Sequence, residues 1–114
     1  MKEIKAYMRP AFLDITIEHL EQEGAKDITV IRVDAIGALA DYEYNRQHIF
    51  RKYAEKYSKI AKLEIVYRDD EADKFIRIIQ KHGYTGERGD GRVFLSDILK
   101  AINILTGAEG DAAL

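Results

Sequence analysis

From Ile60 to Tyr67 the chain changes polarity at almost every step. Ala61, Leu63, Ile65 and Tyr67 fall on one side, and Lys62, Glu64 and Val66 on the other. A period of two marks a strand with one face buried in a core. Asp69 and Asp70 follow as candidate helix N-caps, and Ala72, Phe75, Ile76 and Ile79 then recur at helical spacing up to the expected stop at Gly83. The same strand-then-helix unit stands at the start. Ile4, Ala6 and Met8 alternate with Lys5 and Tyr7, and Pro10 closes the strand. Leu13, Ile17 and Leu20 form a helical stripe, with Asp14 suited to the helix N-terminus and Gly24 to its end. Ile28 to Ala35 is rich in Val, Ile and Thr and apolar on both faces, the pattern of a central strand. Val93 to Ser96 is a short fourth strand. Asp97 would cap a last helix through Ile98, Ala101, Ile102 and Leu105, and a small-residue tail runs from Thr106 to Leu114.

This order gives an α+β, ferredoxin-like βαββαβ fold with a four-stranded antiparallel sheet. A chain of 114 residues is expected to form one domain, 1–114. Two helices on one face leave the other bare, and a further copy of the chain is its simplest cover, so an oligomer is expected. A net charge of −2 argues against a general nucleic-acid binder, which should be basic. The absence of cysteine removes disulfides, thiolate metal sites and thiol nucleophiles. No apolar run reaches membrane-spanning length and the start does not read as a signal peptide, so a cytoplasmic protein is expected.

Two stretches invite a functional reading. Thr85-Gly86-Glu87-Arg88-Gly89-Asp90-Gly91-Arg92 sets three glycines and two arginines between a helix and a strand. Successive backbone N–H groups in such a turn can form an anion nest, and Arg92 adds a permanent charge. The plainer reading is a tight connection with exposed arginines. The second stretch, Ile36 to Lys59, is long for a connection and carries Tyr42, Tyr44, Tyr53 and Tyr57 among Arg46, Arg51, Lys52, Lys56 and Lys59. It reads either as an arm that binds a partner through anchors such as Tyr42, Tyr44, Arg46, Phe50 and Tyr53, or as a surface helix whose tyrosines pack on the domain.

Taken together, several segments resemble the PII signal-transduction family. Met1 to Pro10 with Leu13-Asp14 resembles its opening strand and helix start. Thr29-Val30 and Gly37 resemble its second strand and the base of its T-loop. Lys62 to Val66 with Asp69-Asp70 resembles its third strand. Thr85-Gly86 and Gly89 to Phe94 resemble its B-loop, and Thr106-Gly107 with Ala112-Ala113-Leu114 its C-loop. The likeness implies a homotrimer whose intersubunit clefts bind adenine nucleotide (ATP, ADP or AMP) as an effector, with no required cofactor and no bound metal. Within it, residues 38–59 would be the T-loop, 83–92 the B-loop and 103–114 the C-loop. The implied nucleotide residues are Thr29, Gly37, Ala38, Glu64, Thr85, Gly89, Asp90, Gly91 and Arg92. The T-loop would control a target enzyme or membrane transporter, with no catalysis by the chain itself.

The likeness also has gaps. Ala38 and Leu39 stand where the family carries Arg and Gln after the glycine, Asn103 and Leu105 replace two phosphate-clamping arginines, and Arg92 replaces a lysine. The family's tyrosine-modification motif is absent. Classical 2-oxoglutarate sensing and uridylylation are therefore not expected, and ADP or AMP is favoured over ATP. Three rival readings are a CutA-like metal-responsive trimer using His19, His48 and His82, a small enzyme using Asp69, Asp70 and Glu71, and an RNA-binding ferredoxin-like module. The strands show no paired aromatics of the kind the last would need.

Overall fold

The computed structural model describes residues 1–36 and 58–114. Four strands, β1 (Lys2–Met8), β2 (Thr29–Ala35), β3 (Ser58–Tyr67) and β4 (Arg92–Asp97), form one antiparallel sheet in the order β2-β3-β1-β4. Helix α1 (Leu13–Gln22) follows a single 3-10 turn at Pro10–Phe12, and α2 (Asp69–Gly83) follows β3. The order β1-α1-β2-β3-α2-β4 is the ferredoxin-like α+β plan.

Alternation in β1 and β3 positions the core. Ile4, Ala6 and Met8 pair with Ile65, Leu63 and Ala61 in register, so all six share a face. Leu13, Leu20, Ala72, Phe75 and Ile79 of the helices close over that face in one buried cluster. Phe75 is fully buried and meets Tyr67 edge-to-face at 5.2 Å.

Three expectations change. β2 is an edge strand paired only with β3, and its Val30 and Ile31 are 40% and 37% exposed. Apolar side chains on both faces do not distinguish a strand with two neighbours from one awaiting a further surface. No α-helix forms after Asp97, and the only helical turn there among the described residues is a 3-10 turn at Gly110–Ala113. Asn103 accepts hydrogen bonds from the N–H groups of Leu105 and Thr106 at 2.9 and 3.0 Å, and Ile102 bridges to Glu109. An asparagine side chain that bonds nearby backbone competes directly with helix formation. Asp69 and Asp70 are not caps. Arg68 takes that position, and the two aspartates with Glu71 fill the first turn, where negative charge suits the helix dipole. Gly83 ends α2 as expected, as its last and buried residue, where an added Cβ would sit 3.7 Å from the Met8 methyl.

Candidate functional site

The loop from Tyr84 to Gly91 carries α2 into β4 and is organised from within by one carboxylate. Asp90 accepts from the N–H groups of Thr85 and Gly86, both at 3.0 Å, and from the Thr85 hydroxyl. Arg9, arriving from the end of β1, pairs with the same carboxylate. Burial pushes the Asp90 carboxyl upward, but the bonds from Thr85, Arg9 and Gly86 outweigh it and hold the group well below the usual carboxylate range. Thr85 is saturated as well. Its hydroxyl donates to Asp90 and accepts from Arg9 at 3.2 Å and from the Glu87 N–H at 3.1 Å.

The loop therefore divides in two. The N–H groups of Thr85, Gly86 and Glu87 are spent inside it. Those of Arg88 and Gly89 have no acceptor among the described residues, while the turn at Arg88 and Gly89 directs the Asp90 N–H back to Glu87. Gly86, Gly89 and Gly91 all have positive φ, a backbone turned to place successive N–H groups on one side. Gly91 is tightly constrained. At φ +104° an added Cβ would lie 1.8 Å from the Tyr7 carbonyl oxygen, so only glycine lets the loop lie against β1. Arg88 and Arg92 make no side-chain ion pair among the described residues. A cavity of about 380 Å³ opens beside the loop, walled by Met8, Ile76, Ile79 and Val93 and bordered by Asp90, Gly91 and Arg92.

The sheet face away from the helices holds a second group. Register places Thr29, Glu64, Lys5 and Phe94 in one row across the strands, and Ile31, Lys62, Tyr7 and Arg92 in the next. Lys62 pairs with Glu64 at 2.6 Å and lies 5.7 Å from the Tyr7 ring centroid. The hydrogen bond to Glu64 raises the Lys62 ammonium above its ordinary value, against its desolvation. Tyr7 meets Phe94 edge-to-face at 5.9 Å, a paired aromatic on the bare face that sequence reading had missed.

Of the residues expected to hold nucleotide, Thr85, Gly89, Asp90, Gly91 and Arg92 thus gather in and beside the loop, while Glu64 and Thr29 face each other on the bare face, two and three strands from β4. Gly37 and Ala38 lie outside the described residues, as do Tyr42, Tyr44, Arg46, Phe50 and Tyr53. Arg9, Tyr7 and Lys62 join these groups without having been singled out. No local spacing links position 9 to position 90; only the fold does.

The rival sites fare differently. Asp69 pairs with the Met1 amino group at 2.9 Å, and Glu71 pairs with Lys74 at 2.5 Å and Arg68 at 3.4 Å. These bonds lower both carboxyls against their desolvation. A carboxylate so engaged is a helix-end charge rather than a poised base. His19 and His82 stack at 4.1 Å, and His48 lies outside the described residues. Among the described residues no group of three or more His, Cys, Asp or Glu is placed to hold a metal.

Comparison with known proteins matches residues 1–108 to the family described as "Nitrogen regulatory protein P-II". The chain is 34% identical to the nitrogen regulatory protein P-II of Klebsiella oxytoca and to the nitrogen regulatory protein P-II 1 of Escherichia coli strain K12, over the full length of both partners in each case. It is 29% identical, again over both full lengths, to the nitrogen regulatory protein GlnK of Escherichia coli strain K12.

Proposed function

This chain belongs to the nitrogen regulatory protein P-II family, and from that premise we propose that it binds ADP or AMP in preference to ATP and passes the signal to a partner protein through residues 38–59. P-II proteins are signalling regulators rather than enzymes, they assemble as trimers, and adenine nucleotides and 2-oxoglutarate are their effectors. The observation that carries the proposal is the divided loop. Its free N–H groups at Arg88 and Gly89, with Arg92 close by in the chain, suit a small anion of limited charge. The phosphates would sit there and at Gly37 and Ala38. Thr29 and Glu64, on the bare face that a neighbouring subunit would cover, would meet the rest of the nucleotide from that subunit.

Preference for fewer phosphates follows from the remaining charge. The oxygen of Asn103 is committed to its own turn, and Leu105 offers a 92% exposed hydrocarbon. Neither can offset a triphosphate. Ala38 and Leu39 offer 2-oxoglutarate no side-chain amide or guanidinium. The chain would act in the cytoplasm on a target enzyme or a membrane transporter; among the described residues no helix is long and apolar enough to cross a membrane itself. Nucleotide would favour one state of residues 38–59, and only through unequal affinity for the states available. Calorimetric titration with ATP, ADP and AMP, each with and without magnesium and 2-oxoglutarate, tests this. The expected result is binding of ADP or AMP with no gain from 2-oxoglutarate. Tighter ATP binding that 2-oxoglutarate enhances would overturn it.

A further inference from the structure

We infer that Arg9 is the positioning residue of the loop: it neutralises Asp90 and turns the Arg88–Gly89 peptide so that the Gly89 N–H faces the bound anion. The inference rests on the nucleotide reading for its ligand and on the loop geometry for everything else. Arg9 is well placed for such work. Its backbone is extended, as the residue before a proline must be, and its carbonyl accepts from the Phe12 N–H at 3.1 Å. Its side chain is only 14% exposed. Nη1 reaches the Asp90 carboxylate and the Thr85 hydroxyl, and Nη2 donates to the Arg88 carbonyl at 2.8 Å. One planar fork therefore ties the beginning, middle and end of the loop to β1.

Two consequences follow from elementary chemistry. A carboxylate at the centre of an anion site would repel its ligand. By pairing with Asp90, Arg9 removes that repulsion and leaves Arg92 for the anion. A trans peptide also sets its C=O and N–H on opposite sides. When Nη2 draws the Arg88 carbonyl toward β1, the Gly89 N–H must point the other way, into the unspent half of the loop. A lysine could supply the charge but has no second arm for the carbonyl.

Arg9→Lys and Arg9→Gln separate these two roles. ADP and inorganic pyrophosphate would be titrated calorimetrically into the wild type and both variants. Amide exchange from Thr85 to Gly91 would be followed by NMR on the ligand-free proteins, with α2 and sheet amides as the folding control. Arg9→Gln is expected to weaken binding of both probes about tenfold or more and to speed exchange at Thr85, Gly86 and Glu87. Arg9→Lys should recover part of the affinity yet keep a shifted Gly89 amide resonance. If Arg9→Gln unfolds the protein, Arg9→Lys alone decides. Wild-type affinity together with an unshifted Gly89 resonance in Arg9→Lys would overturn the inference, and so would unchanged loop exchange in a folded Arg9→Gln. A wild type that binds neither probe would refute the nucleotide reading, while the ligand-free exchange data would still decide the positioning role.

Discussion

A methyl group added at Gly91 would meet the Tyr7 carbonyl at 1.8 Å in a backbone already at φ +104°. Gly24 has a similar φ of +99° but open space around it. Gly91→Ala should therefore cost about 2 kcal/mol or more, and Gly24→Ala about 1 kcal/mol, in denaturant unfolding. Equal losses would mean that the close approach to β1 does not matter. Asp90 gives a second prediction at this scale. Its carboxyl is lowered in the fold, so the unfolded chain binds the proton more readily. The stability it contributes is whole above the ordinary carboxylate value of about 4 and is lost as pH falls toward the depressed one. Asp90→Asn should lower stability at neutral pH and flatten the decline below pH about 4 in thermal unfolding followed across pH. The glycines and Asp90 were legible in the sequence because they are contiguous. Arg9 was not, since its three bonds to the loop exist only once β1 and β4 are adjacent.

Phe75 anchors α2 from the centre of its apolar stripe, with no exposed surface. Phe75→Ala should cost about 3–5 kcal/mol, read from chemical denaturation. Where α1 meets α2, His82 stacks on His19. Burial chiefly, then the neighbouring His19 and Lys81, lowers the His82 imidazole. The fold thus prefers the neutral ring. Its contribution is whole above the ordinary value of about 6.5 and is lost as pH falls through the window below it. His82→Gln should flatten the stability profile between about pH 7 and pH 5, and a slope unchanged by the substitution would show that the stack is not strained by protonation. Strands β1 and β3 and helix α2 could be read from their periods because each has one buried face. The periods failed at two places for physical reasons. β2 carries apolar residues on both faces although it has one neighbour, and Ile98, Ala101, Ile102 and Leu105 keep helical spacing through a segment that Asn103 folds into a turn.

At the scale of the molecule, apolar surface remains uncovered. Leu99, Ile104 and Leu105 are 98%, 101% and 92% exposed, and Phe94 lies 48% exposed beside Tyr7 on the bare face. Such patches mark contact surfaces, and trimers are the family's assembly. Phe94→Asp should dissociate the assembly in sedimentation equilibrium while leaving the helix signal in circular dichroism; a variant that sediments like the wild type would place the interface elsewhere. The order of strands has a consequence in time as well as in space. β1 lies between β3 and β4, whose pairing residues, Ala61 to Tyr67 and Arg92 to Asp97, come far later in the chain. On a ribosome, Ile4, Ala6 and Met8 would wait unpaired until Ala61 to Tyr67 had been made, and the other edge of β1 until Arg92 to Asp97 had followed. The sheet can therefore assemble from β2, β3 and β1 first, each step slowed by long loop closure, and β1 keeps an open edge until β4 arrives to cover it.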